Sequence, residues 1–181
     1  MTLIASVNYL SLEGLPWVLT AWLGLYVFRP FATLVHEFGH FWTALILTKD
    51  EIGLTVGKPN GNPWRVSKRV TFEFSFHKSD SGKTSYSDEE IGLLSKMLIL
   101  SGGPFFSLGM SCLAGWLILN FIHPVWLEIT GVSWFCANCL AFLRASLPMR
   151  LRPTDEYPEG PPSDGLQLLW LFTGKGKKEE T

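Results

Sequence analysis

From Met97 to Leu127 the chain carries no Asp, Glu, Lys or Arg. A charge-free run well beyond about 18 residues is long enough to cross a bilayer as a helix, and too oily for the surface of a small soluble domain. A second apolar run follows from about Val125 to Leu143, interrupted only by Glu128 near its start. A third covers about Leu15 to Thr48, interrupted by Arg29-Pro30, which either lies within one span or marks a turn between two shorter segments. The whole chain has 181 residues, 47% of them hydrophobic, so it is short for two domains and too apolar for an ordinary soluble one.

The basic residues orient these spans, because Lys and Arg near span ends stay on the cytoplasmic side. Of the 15, eight lie between Lys49 and Lys96, six lie from Arg144 onward, and only Arg29 is elsewhere. The connection "NFIHPVW" has none, so the two later spans form a hairpin whose turn faces outward. The first span therefore runs inward and ends near Lys49. Residues 1–28 lack a basic residue, which argues against a signal peptide with its positive leader and favours an outside N-terminus. The net charge of -1, without a basic face, gives no case for nucleic-acid binding.

Between the first and second spans, "RVTFEFSFHK" alternates, with Val70, Phe72, Phe74 and Phe76 on one face and Thr71, Glu73, Ser75 and His77 on the other. The turn residues of "KPNGNPW" predict that "EIGLTVG" and this strand pair as a hairpin. Ser87 and Glu90 have capping-box spacing for the next helix. After the last span, prolines forbid a continuous helix until about Asp164, and the apolar piece beyond it is far short of the roughly 20 residues a span needs. The predicted fold is an all-α polytopic membrane protein: about three transmembrane helices, a small amphipathic β-hairpin between the first and second, and a short re-entrant or interfacial C-terminal helix. It forms a single domain, divided into 1–48 (N-terminal span or spans), 49–95 (cytoplasmic-side hairpin loop), 96–147 (helical hairpin), 148–172 (Pro-rich segment with Asp164) and 173–181 (tail). Cys112, Cys136 and Cys139 fall inside apparent spans, and the spacing of "CANC" without a second pair reads as small buried hydrophobes.

The chemistry concentrates in "HEFGH". Four residues apart on a helix, His36 and His40 share a face and can grip one metal ion, with Glu37 about 100° around beside the ion's open position. Zinc suits two neutral imidazoles, and Glu37 then serves as general base toward a zinc-bound water. Two interfacial histidines with a snorkelling glutamate are the bland alternative, but a carboxylate at membrane depth costs at least about 2.5 kcal/mol and such residues usually mark function. A third protein ligand is missing. His77 lies on the strand and His123 in the outer turn, while Asp155, Glu156, Glu159 and Asp164 are cytoplasmic, and only Asp164 opens an apolar segment able to enter the bilayer. A divalent cation with Asp164 and Glu37 ionised makes a neutral cluster, which lowers its burial penalty.

"HEFGHFW" on a membrane helix, "LSGGPFFSLG" at the start of a later span and "PPSDG" after a proline-rich approach resemble, in order and over nearly the whole chain, the three signatures of the site-2 protease family of intramembrane zinc metalloproteases. The resemblance implies His36, His40 and Asp164 as ligands of Zn2+ and Glu37 as general base. It implies a zinc site toward the cytoplasmic face, with the histidines roughly 12 to 18 Å in from Thr48 at 1.5 Å per residue. It also implies a multi-pass protein of the cell (inner) membrane that cleaves a transmembrane segment of a membrane-protein substrate. An unwound substrate segment needs new backbone partners, and the strand Val70 to Phe76 is expected to offer an edge, unless the hairpin is merely an interfacial plug. Gly102 and Gly103 permit close backbone approach, for water entry or simply for tight helix packing.

Three features depart from the family pattern: Ser107 where Asn is common, Ala145 in "ASLP" where Asn is usual, and no full span after Asp164. They motivate a second reading, a catalytically weak or silent homologue acting as a membrane scaffold or assembly subunit. "HEFGH" by itself also fits a zinc enzyme acting on a non-peptide bond. The short last segment raises the further expectation of a partner membrane subunit that presses Asp164 inward.

Overall fold

The computed structural model describes residues 14–59, 61–77, 81–87, 91–121, 124–153 and 157–174. Three helices are long and apolar enough to cross a membrane: α1 (Leu15–Leu47), α2 (Leu93–Asn120) and α3 (Val125–Ser146). A fourth, α4 (Asp164–Thr173), is short. α1, α2 and α3 all pack on one another. Their surface is the reverse of a soluble bundle. Ser107, Ser111, Ser133, Asn138 and Glu128 are buried, whereas Trp22, Leu23, Tyr26, Leu119 and Trp126 are exposed. Bundles in lipid are built this way, with small and polar residues at helix contacts and large apolar ones outside.

Close contacts follow glycines. Gly24 of α1 lies against Ser133 of α3, whose hydroxyl donates to the Ile129 carbonyl (2.8 Å). Gly39 and Gly102 meet backbone to backbone where α1 crosses α2, and a Cβ on either would strike the other's carbonyl. Arg29-Pro30 does not break the first span: α1 runs unbroken through Pro30. Pro30 removes one amide donor, the one whose helical acceptor is the Tyr26 carbonyl, and Thr33 adds a side-chain hydrogen bond to the Arg29 carbonyl (3.1 Å). Among the described residues, Lys49 is thus preceded by one continuous helix, about 50 Å long at 1.5 Å per residue.

The segment between α1 and α2 is a four-stranded sheet, in place of the expected hairpin, with β1 (Ile52–Val56), β2 (Trp64–Arg65), β3 (Val70–Phe74) and β4 (Gly82–Ser85) in the order β2-β3-β1-β4. The first and third strands do pair, but in parallel, from Ile52 opposite Val70 to Val56 opposite Phe74. Parallel neighbours need a crossover of about a dozen residues, and residues 57–69 supply it. Part of that crossover is β2, which turns back antiparallel onto β3. β4 pairs antiparallel with the other side of β1.

The alternation of β3 holds as read. Val70, Phe72 and Phe74 pack onto a core of Ile52, Leu54, Val56, Phe41, Ala44 and Ile99. Phe76 lies beyond the strand and is 70% exposed, touching Phe31 edge-on. The sheet therefore reaches back along α1 as far as Phe31, past His40 and His36. α2 starts at Leu93 after Gly92, with no side-chain cap; the Ser87–Glu90 pair falls on Glu90, which lies outside the described residues. The cysteines are free thiols, and Cys112 is exposed on α2 where burial was expected, with Cys136 and Cys139 half-buried.

Candidate metal centre

On α1 the four-residue spacing sets the imidazoles of His36 and His40 edge to face, with Nε2 atoms 3.1 Å apart. Asp164, from the far end of the chain, places one carboxylate oxygen 3.0 Å from His36 Nε2 and 3.3 Å from His40 Nε2. The three form a group able to hold a metal ion. The donor chemistry favours one. His40 Nδ1 donates to the Ile99 carbonyl at 2.7 Å, which leaves the Nε2 lone pair facing inward. A 3.4 Å approach of the Gly103 amide to the same Nδ1 is too long to compete. On His36, Nδ1 lies 3.3 Å from the Ser107 hydroxyl, which can accept from it and is compatible with the same tautomer. With both rings in that tautomer, two lone pairs and a carboxylate oxygen converge, an arrangement that a cation or a proton among them relieves. Tetrahedral ligands bonded at about 2.0–2.1 Å stand about 3.3–3.4 Å apart, close to the spacings observed.

Each ligand is held by its surroundings. Gly103 of α2 lies directly against the imidazoles, and a methyl there would fall on His40 Nε2. The glycine pair thus packs the helices closely, and part of what it packs against is the candidate ligand pair His36 and His40. Asp164 opens α4, whose N-cap Ser163 is buried and bonded three ways. Its hydroxyl accepts from the Leu166 and Met149 amides, both at 3.2 Å, and donates to the Leu147 carbonyl. The pairing of Arg150 with Pro162 and the hydrogen bond from the Leu151 amide to the Pro161 carbonyl (2.8 Å) tie the proline-rich approach into a return loop. Gly165 lies flat on the Ser146 carbonyl at the end of α3. The contact of Asp164 with the histidines is made within the chain.

Glu37 is buried beside this cluster. Its carboxylate accepts from the Thr84 hydroxyl of β4 at 2.9 Å. Gly82 of the same strand touches the Glu37 side chain so closely that a Cβ would overlap it. Thr84 and Gly82 were not anticipated from the sequence. "GKTS" is short, polar and without alternation, so nothing local marks it as a strand, and its partner β1 is distant in sequence. Ser107 was noted only as a departure from the family pattern, yet it is completely buried and contacts His36.

Two of the other candidates, His77 and Glu159, do not join the cluster. His77 is exposed just past β3, and Glu159 is exposed and pairs with Arg150 at 3.6 Å. His123, Asp155 and Glu156 lie outside the described residues. β3 is flanked by β1 and β2, so it does not provide the edge expected of it; the edge strand on the Glu37 side is β4. No protein-family model, curated protein or solved structure matches the chain.

Proposed function

We propose that the protein is an intramembrane metalloendopeptidase that uses Zn2+ to cleave a transmembrane segment of another membrane protein, in the manner of the site-2 proteases it resembles. One observation carries the reading: His36, His40 and Asp164, brought together from opposite ends of the chain, form a metal-ligand triangle next to a buried carboxylate, Glu37, on helices apolar enough to lie in a membrane. A bound zinc ion supplies an acidified water and a polarised carbonyl. The remaining work belongs to protein groups. Glu37 takes a proton from the attacking water and passes it to the departing amide nitrogen, so the C–N bond breaks to give a carboxylate and an amine. Thr84 holds the Glu37 carboxylate in one orientation. β4, the edge strand that touches Glu37, is placed to receive an unwound substrate segment by strand addition, which would satisfy backbone groups that lipid leaves unpaired. The distribution of Lys and Arg sets this chemistry toward the cytoplasmic face.

The test is co-expression with single-pass reporter substrates, comparing the natural chain with Glu37→Gln. Cleavage lost only in the variant supports the reading, and cleavage that persists in it sinks the mechanism. A chain that binds zinc through His36, His40 and Asp164 yet cuts no reporter supports the scaffold reading instead.

A further inference from the structure

Most polar side chains of the long helices are satisfied locally. Thr43, Ser101 and Ser133 each donate a hydroxyl to the carbonyl four residues back, all at 2.8 Å. Such a bond asks nothing of another helix. Ser107 and Asn138 differ, and both are completely buried. Among the described residues Ser107 makes no bond back along α2, and its hydroxyl meets only His36 Nδ1, at 3.3 Å. Asn138 donates from Nδ2 to the Trp134 carbonyl at 3.0 Å, while its Oδ1 has no hydrogen-bond partner. The Trp134 carbonyl can only accept, which fixes the amide's orientation and makes the orphaned atom an acceptor. A buried acceptor without a donor calls for an explanation.

The two side chains are complementary. With Nδ1–H of His36 directed at Ser107, the serine oxygen accepts and its own hydrogen is left to give. Asn138 Oδ1 needs such a hydrogen. They also lie at one level of the bundle. α2 and α3 are consecutive and antiparallel, and Ser111 Oγ approaches the Phe135 carbonyl at 3.4 Å, which sets their register. From that crossing Ser107 lies four residues back on α2, about 6 Å, and Asn138 three residues on along α3, about 4.5 Å in the same direction. At those spacings each shares the face of the residue at the crossing.

We propose that Asn138 is a positioning residue for His36. The Ser107 hydroxyl donates to one buried water, and that water donates to Asn138 Oδ1. The water also lies beside Ser111 Oγ, which gives it three polar partners, the usual number for a buried water. The relay runs from the Trp134 carbonyl through Asn138, the water and Ser107 to His36 Nδ1, and holds the opposite ring nitrogen toward Asp164. α3, which carries none of the three candidate ligands, thereby takes part in aiming one of them. The inference rests on reading His36, His40 and Asp164 as metal ligands and does not depend on proteolysis.

The test is a double-mutant cycle on zinc affinity, measured by chelator competition with the purified full chain. Outer-shell partners of a ligand histidine account for about 10–100-fold, and Asn138, one bond further out, is expected to account for about threefold to fivefold. Asn138→Leu, of similar volume and without polar atoms, should weaken zinc binding by that factor in the natural chain. In a chain already carrying Ser107→Ala it should change nothing, because the relay is then cut. Asn138→Ala repeats the cycle in case leucine disturbs the helices, with circular dichroism as the control for folding. An effect of equal size in both backgrounds is that of a packing residue and overturns the proposal. So does a zinc affinity that neither substitution at Asn138 alters. A natural chain that binds no zinc overturns the metal reading and this inference with it. Cleavage is not among the readouts, so a failure of the proteolytic reading is told apart from a failure of the relay.

Discussion

The hydroxyl of Thr84, on the edge strand of the sheet, donates to the carboxylate of Glu37 on α1 at 2.9 Å and also lies 3.1 Å from the Glu37 carbonyl. The sheet is thereby joined to the one acidic group beside the metal ligands, and a strand that would receive substrate is mechanically coupled to the proposed base. Replacing Thr84 by Val keeps the shape and removes the donor. A hydrogen bond to a charged group is worth about 1.5–3 kcal/mol, so reporter cleavage by Thr84→Val is expected to fall about tenfold to a hundredfold while zinc content stays full. Thr84→Ser, which restores the hydroxyl, should recover most of the rate. Loss of zinc in the Val variant would instead make Thr84 a structural prop of the whole centre.

Gly103 supplies a sharper test of the ligand geometry. A methyl at this position meets His40 Nε2 and the His36 ring, and both rings are confined by α2. Gly103→Ala is expected to abolish metal binding. Gly109, on the same helix, has open space where its Cβ would be, so Gly109→Ala should bind zinc normally. Elemental analysis of the two purified variants separates the specific clash from a general intolerance of alanine in α2, which already prefers it.

Ser107 leads to a third expectation. It is completely buried and its hydroxyl lies 3.3 Å from His36 Nδ1. Groups that orient a ligand histidine typically account for about 10–100-fold in metal affinity. Ser107→Ala should therefore weaken zinc binding about tenfold in competition with a chelator, the lower end reflecting the long contact, and leave the helices intact by circular dichroism. An unchanged affinity would mean that packing alone orients His36.

Most of the metal centre was legible in the sequence because its determinants are local. His36 and His40 announce themselves by helical spacing, and Asp164 by being the acidic residue that opens an apolar segment. The three long helices are equally legible, since length and lack of charge suffice to mark them. What was missed depends on contacts distant along the chain. β1 and β3 were paired correctly but in the wrong direction, because alternation fixes which face is greasy and says nothing about parallel or antiparallel neighbours. β4 escaped because an edge strand of Gly, Lys, Thr and Ser draws its conformation from β1 and Glu37, not from its own propensities. Arg29-Pro30 left the choice between one helix and two open, and among the described residues α1 runs straight through it.

The last expectation concerns Ser163, one residue before a metal ligand. Its side chain caps α4 and at the same time bonds the Met149 amide and the Leu147 carbonyl, where the chain leaves α3. Ser163→Ala removes all three bonds from a buried position. Loss of a cap alone costs about 1 kcal/mol. The orphaned buried groups add about 1–3 kcal/mol more. α1, which carries both histidines, and α2, which packs on them, do not depend on this serine. The variant should therefore keep the long helices and the His36–His40 pair, release the start of α4, and lose zinc affinity to nearly the extent of Asp164→Ala. Zinc binding that survives Ser163→Ala but not Asp164→Ala would show instead that contact with the ion is enough to hold α4 in place. Measuring both variants side by side, with protease accessibility of the 147–163 segment as the structural readout, distinguishes a ligand delivered by its own loop from one captured by the metal.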